Sequence, residues 1–386
     1  MGYLRKVGDK KFRIMYDVVF VNGKRRQKTE TLVGVTKKQA EAILAKRKAA
    51  VVAGEYLPCA DMTMNELFDR FMQAKEGRLA ATTLQRYESL LRLYLRPAVG
   101  ARKVGSVKAV DLLATYARWS KRPVSGRTVH HAAELLRNVL RRAVKWEVIL
   151  RSPAASLDAD DLPRAVKPES AALTETEAQQ LLQEAKYPTH RCTARHYLTA
   201  QSAFYPAVAF ALYTGARLGE IMAMRWQDVD FRQRIVTISR SLSSTKRDGL
   251  IYKRPKNERV RTVCVSSHLL VILESHHAVQ AAERIAVRPA YHDEDLIFAK
   301  ADGTPISSWL FSSAFRNFMK RCPVRRIRFH DLRDTHASLL AKAGVPIEVI
   351  SKRLGHSDIS ITYDRYITVY RDRDAEAAEA FGKIVT

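Results

Sequence analysis

The stretch RIRFHDLRDTHASLL, residues 326–340, sets two histidines and two aspartates among arginines, directly ahead of small and apolar residues. If those residues open a helix, His330 and Arg333 lie three apart on one face near its N-terminus. Unpaired backbone N–H groups and the helix dipole favour an anion there. The stretch is therefore either a phosphate-handling helix start or a solvated basic turn, and the rest of the chain has to decide between them.

Composition favours a polyanionic partner. The chain has 386 residues, 46% of them hydrophobic, enough to bury proper cores and more in keeping with two or three domains than with one. Lys and Arg number 66 against 40 Asp and Glu, a formal charge of +26, which suits binding to a DNA or RNA backbone. No apolar run approaches the ~20 residues of a membrane span, and the N-terminal MGYLRKVGDKKF has no apolar signal core. Cys59, Cys192, Cys264 and Cys322 are scattered, with neither metal-ligand spacing nor a disulfide framework. The expectation is a cytoplasmic protein with no membrane association and no structural zinc.

At the N-terminus, Phe12, Ile14, Tyr16, Val18 and Phe20 alternate with polar residues, the period of a half-buried strand. Asn22-Gly23 supplies a hairpin turn. The return strand carries Lys24, Arg25, Arg26 and Lys28, candidate DNA contacts on a basic β-ribbon. Thr36 and Gln39 have capping-box spacing for a helix that stops near Gly54. Residues 1–60 hold 14 Lys/Arg and 5 Asp/Glu, a small basic module able to place a strand in a DNA groove.

From residue 61 the period becomes helical. Thr63 and Glu66 repeat the capping-box spacing, and Leu67, Phe68, Phe71 and Met72 form a stripe. TTLQRYESLLRLYL, AVDLLATYARWS and TVHHAAELLRNVLRRAVKWEVI follow, which makes residues 61–155 a four-helix domain. The segment 156–172, with two prolines and an acidic patch, reads as a linker. Residues 173–386 read as a mainly helical domain with a small antiparallel sheet, its strands at RIVTIS, GLIYK and VRTVCVS. The fold class expected is α+β, mainly helical.

Four local patterns in this last part bear on chemistry. In TGARLGEIMAMRW, Arg217 and Glu220 lie three apart at a helix start, so the acid can orient the guanidinium. In KRPKNERVRTVCVS, Lys256 lies in the loop ahead of a strand; FHDLRDTH holds His330 and Arg333. In RLGHSDISITYDRY, His356 follows a glycine turn and Tyr366 comes ten residues later. Singly these read as a surface ion pair, a loop lysine, a helix-cap histidine and a packing tyrosine. Their order and company change the reading.

In that order the chain resembles the tyrosine recombinases, or phage integrase family, whose motifs run arginine, strand-hairpin lysine, His-x-x-Arg, Leu-Gly-His and nucleophilic tyrosine. The motif resemblance spans residues 173–370. Residues 61–155 resemble the family's helical core-binding domain, and residues 1–60 the arm-binding domain of lambda-type and conjugative-element integrases. Cys264 stands where many members have proline. The resemblance implies active-site roles for Arg217, Lys256, His330, Arg333 and His356, with Tyr366 as nucleophile.

The residue types suit the implied reaction. A phosphodiester carries a full negative charge, and its transition state spreads more charge over the nonbridging oxygens; two planar arginines meet both with paired donors. A tyrosine of pKa ~10 is only about 0.1% ionised at neutral pH, so its proton has to leave during attack, to His330 or through the phosphate environment. Lys256 would protonate the departing 5′-oxygen and His356 would hydrogen-bond the phosphate. The covalent tyrosyl phosphate conserves the bond energy for rejoining. No metal or other cofactor is expected.

The resemblance further implies double-stranded DNA attachment sites, a homotetramer on two duplexes and a Holliday junction, with an excisionase and a host DNA-bending protein as further candidate partners. The tail DRDAEAAEAFGKIVT sets Ala375, Ala378, Phe381 and Ile384 on one apolar stripe, suited to a neighbouring subunit. Three alternatives stay open: a chromosome-dimer resolvase, whose relatives lack a basic N-terminal ribbon, a type IB topoisomerase, and a DNA-binding regulator that has lost catalysis.

Overall fold

Alternation along KFRIMYDVV buries Phe12, Ile14 and Tyr16 on one side of a strand in the computed structural model of the chain. The structure describes residues 2–19, 25–52, 62–158, 160–163, 172–187, 201–254, 260–355, 358–360, 363 and 381–384. By contacts it divides into two compact units, Met1–Lys167 and Pro168–Thr386.

In the first unit, β1 (Gly2–Gly8), β2 (Lys11–Val19) and β3 (Arg25–Val33) form an antiparallel sheet with β2 at its centre. Helix α1 (Lys37–Val52) covers the face made by Ile14 and Tyr16, through Leu44. The Thr36 N–H donates to Gln39 Oε1 at 2.9 Å, as the capping-box spacing requires. The expected two-stranded ribbon has a third strand, β1. Its alternate residues Tyr3 and Val7 face solvent and only Leu4 packs inward, so it carries no alternating apolar signal. Arg25, Arg26 and Lys28 pair along β3 with Val19, Val18 and Tyr16, while Asn22, Gly23 and Lys24 lie outside the described residues.

The helical part of this unit begins at α2 (Met64–Lys75), whose Thr63–Glu66 capping box is complete. Helix α3 (Ala81–Leu90) runs through a π-turn at Leu91–Leu95 into α4 (Arg96–Val99). The Arg96 N–H reaches back to the Leu91 carbonyl, and the widened turn ends at Pro97, which has no N–H to donate. Helices α5 (Ala109–Ser120) and α6 (Gly126–Lys145) complete the four-helix core. Leu67, Phe68 and Phe71 bury their stripe against it, and Trp119 meets Tyr94 edge-on at 6.0 Å.

The second unit opens with α7 (Glu175–Lys186), capped by Thr174 and Glu177. Helix α8 (Gln201–Thr214) buries Ala207, Val208, Ala209, Phe210 and Ala211 in succession and so lies inside the core, packed by α7 and two later helices. After the short α9 (Leu218–Ile221) come β4 (Val229–Asp230), β5 (Ile235–Ile238), β6 (Ser241–Thr245), β7 (Gly249–Lys253) and β8 (Arg261–Cys264). Helices α10 (Ser267–Val287), α11 (Ser308–Met319), α12 (Asp331–Lys342) and α13 (Ile347–Leu354) follow, and α10 and α12 are the two that also pack α8. The one sheet expected here is two: a three-stranded sheet in the order β4-β5-β8 and a hairpin of β6 and β7. Strand β6, SLSST, carries a single apolar residue, Leu242, so composition hid it; its pairing is set by the turn in which the Thr245 hydroxyl donates to Asp248 at 3.0 Å. No helix among the described residues is long and apolar enough to cross a membrane.

Candidate active site

Helix α8 ends in a turn that only glycine tolerates. Gly215 has φ +65°, and a Cβ there would stand 2.7 Å from both His336 Cδ2 and Leu354 Cδ2. Two residues on, Arg217 caps α9. Its backbone N–H donates to Glu220 Oε2 at 2.9 Å and its guanidinium to Oε1 at 3.1 Å, so the acid orients the arginine while leaving its side chain 32% exposed.

Glu220 is 1% exposed and has a second partner that the sequence reading missed. Arg261, on β8, donates NH1 to Oε1 at 3.0 Å and NH2 to Oε2 at 2.7 Å, a bidentate pair. Burial pushes the Glu220 carboxyl up, but the hydrogen bonds and charge of Arg261, with those of Arg217, outweigh it and hold the group below its usual range. A faint signal was available: Arg261 shares the strand's inward period with the buried Val263 and Val265, and a cation on that face requires a buried partner.

His330 and Arg333 part company in the structure. His330 is exposed at the N-cap of α12, whereas Arg333, in the first turn, is 3% exposed. Arg333 donates NH1 to the Gly215 carbonyl and NH2 to the Leu354 carbonyl, both at 2.7 Å. It thereby ties the turn that presents Arg217 to the end of α13, where Gly355 (φ +68°) turns the chain toward His356. Asp331 closes the helix start by accepting the Arg328 N–H at 2.7 Å, next to the positive end of the dipole. Thr335 accepts the Leu173 N–H at 3.0 Å, which anchors the entry into the unit.

The second histidine of the opening stretch, His336, is buried and structural. Its Nδ1 lies 2.7 Å from the Leu212 carbonyl and its Nε2 accepts from Arg353 Nε at 3.0 Å. Those partners require the tautomer protonated on Nδ1. Burial and the charge of Arg353 push the imidazole down to about 4, so it is neutral at physiological pH. The structure thus brings together Arg217, Arg333, Arg261, Glu220, His336 and Arg353, with His330 at the surface end of α12. Lys256, His356 and Tyr366 lie outside the described residues, between or beyond the described ends Arg254, Val260, Gly355 and Tyr363. Tyr363, the other tyrosine of that segment, is 50% exposed.

The phage integrase family matches residues 171–373, and the phage integrase central domain residues 64–160. The chain is 24% identical over 366 residues, 91% of this chain and 90% of the relative, to a tyrosine recombinase XerC-like protein of Caldanaerobacter subterraneus subsp. tengcongensis. It is 31% identical over 173 residues, 44% of this chain and 46% of the relative, to the ICEBs1 integrase of Bacillus subtilis. Among solved structures it is similar in fold to the Tn1549 transposon integrase in complex with transposon right end DNA, with TM-score 0.67 and 20% identity over 82% of this chain and 100% of that one. A lambda integrase dimer bound to a COC′ core site gives TM-score 0.57 and 16% identity over 94% of each chain. With the family match covering more than half of its length, the chain belongs to the phage integrase family, the tyrosine-type site-specific recombinases.

Proposed function

We propose that the protein is the site-specific recombinase of a phage or integrative mobile element, which cuts and rejoins double-stranded DNA at attachment sites through a 3′-phosphotyrosyl intermediate and a Holliday junction. The observation that carries this reading is the pair of 2.7 Å bonds from Arg333 to the Gly215 and Leu354 carbonyls. They join the turn presenting Arg217, the helix starting at His330 and the segment leading to His356. The charge of +26 suits a DNA partner.

In this reading Arg217 and Arg333 neutralise the scissile phosphate and the charge that builds on its nonbridging oxygens. The Tyr366 oxygen bonds to phosphorus as the bond to the 5′-oxygen breaks. The tyrosine proton passes to His330 or through the phosphate environment, Lys256 protonates the departing oxygen, and His356 hydrogen-bonds the phosphate. Attack by a different 5′-hydroxyl reverses the step and expels the tyrosine without ATP.

The division of labour proposed is arm-site binding by residues 1–60 through Lys24, Arg25, Arg26 and Lys28, core-site binding by 61–155, a linker at 156–172 and catalysis by 173–386. The assembly is a homotetramer on two duplexes in the cytoplasm, assisted by an excisionase and a host DNA-bending protein. The test uses DNA spanning the element's junctions, with the protein denatured after incubation and covalent protein-DNA adducts counted. Wild type forms adducts and Tyr366→Phe forms none while binding DNA normally. Adducts that persist in Tyr366→Phe and vanish in Tyr363→Phe overturn the assignment.

A further inference from the structure

Arg353 lies three residues ahead of His356, and each of the three nitrogens of its guanidinium donates to a group on another element. Nε donates to His336 Nε2 at 3.0 Å, NH1 to the Cys264 carbonyl at 2.9 Å and NH2 to the Tyr213 carbonyl at 2.9 Å. Its own carbonyl accepts Arg261 Nε at 3.2 Å. These contacts reach α12, which carries Arg333; β8, which follows Lys256 in the sequence; and the end of α8, which leads into Arg217. One side chain on α13 therefore touches each of the other three segments from which the active site is built.

We propose that Arg353, held in place by His336, is a positioning residue that sets the spacing of the four catalytic segments without touching DNA. The inference rests on the recombinase reading above. Arg353 is suited to the task because a planar guanidinium holds three acceptors in a fixed fork, which a lysine ammonium cannot reproduce. His336 is suited because its neutral ring donates to the Leu212 carbonyl from one nitrogen and accepts from Arg353 at the other. The imidazole, held down to about 4, keeps that acceptor at neutral pH. A misplacement of the reacting groups by about 1 Å costs up to ~10²-fold in rate, so loss of the fork is expressed in the chemical step.

The test measures single-turnover cleavage of a core-site duplex at saturating protein, apparent DNA affinity and thermal midpoint, for full-length Arg353→Met, Arg353→Lys, His336→Phe and the Arg353→Met/His336→Phe double variant. Arg353→Met is expected to lower the cleavage rate by about 30- to 100-fold with affinity within about threefold of wild type. Arg353→Lys recovers only a small part of the rate, and the double variant loses less than the product of the two single effects, because both changes break the shared Arg353–His336 bond. A folded Arg353→Met that cleaves within about threefold of wild type overturns the proposal, as do multiplicative effects in the double variant. If Arg353→Met does not fold, the same criteria apply to Arg353→Lys and His336→Phe. Arg333→Ala and Tyr366→Phe in the same assay separate the two readings. Cleavage by both of these overturns the recombinase site itself, whereas their inactivity beside a normal Arg353→Met overturns the positioning role alone.

Discussion

Replacing Glu220 by glutamine changes one oxygen for one amide group inside the site, and the structure sets the size of the effect. The carboxylate accepts four hydrogen bonds, from the Arg217 backbone and guanidinium at 2.9 and 3.1 Å and from Arg261 at 3.0 and 2.7 Å. An amide oxygen can keep the pair on one side, but its NH2 then faces two donors on the other, and the charge that balanced the buried Arg261 is gone. Breaking one partner of a buried ion pair costs about 3–5 kcal/mol, and that is the destabilisation expected by denaturant titration. Single-turnover cleavage, measured where both proteins are fully folded, should fall by at least ~10-fold because Arg217 loses its orienting partner. The difference also depends on pH. The folded carboxyl lies below its ordinary value of 4.5, so its contribution is complete above that pH and is lost as pH falls through the lower folded value. The wild-type advantage over Glu220→Gln therefore shrinks on acidification across that window. A loss of stability under about 1 kcal/mol, or one that is constant through the acid range, refutes the buried-pair account.

Gly215→Ala combines a left-handed backbone cost of ~1–2 kcal/mol with overpacking of ~1–3 kcal/mol against His336 and Leu354, and a thermal melt should register about 2–5 kcal/mol in total. Arg333→Lys cannot bridge both carbonyls, so cleavage on a trapped substrate should drop by about 10²-fold or more; a near-normal rate removes Arg333 from the site. Deleting residues 1–60 should leave cleavage of an isolated core site intact while recombination of full attachment sites fails, and equal loss of both refutes a separate arm-binding module. The described end of the chain exposes Phe381 (65%) and Ile384 (79%), so deleting residues 374–386 should weaken assembly on DNA but spare binding by the monomer, as read by gel shift; unchanged synaptic complexes refute docking on a neighbour.

What was legible in the sequence is what short range encodes. The boxes at Thr36–Gln39 and Thr63–Glu66 need residues only three apart, and the burial of Phe12, Ile14 and Tyr16 needs only a period of two. The pairing of Arg217 with Glu220 is of the same kind. What was not legible depends on partners far along the chain or on backbone groups that have no sequence signature. The opening stretch suggested His330 and Arg333 side by side facing an anion, yet Arg333 turns inward to the carbonyl of a glycine 118 residues earlier. Arg261 finds Glu220 across 41 residues, and Arg353 binds three groups on three elements. Strands β1 and β6 escaped for the opposite reason, since their pairing comes from neighbours and a turn rather than from apolar residues of their own.

The carbonyl bonds that hold the site also date it within the life of the chain. Arg353 reaches Tyr213 across 140 residues and His336 reaches Leu212 across 124. A ribosome adding about 5–20 residues per second needs roughly 7–30 s to pass from one end of that span to the other. Until the later end has emerged, the turn at Gly215 lacks the groups that close over it, and Arg217 has no scaffold behind it. The whole of Met1–Lys167 precedes that span in the chain and is synthesised before it begins. In the proposed reading, a strand break therefore has to wait until the second unit has been made as far as Tyr366.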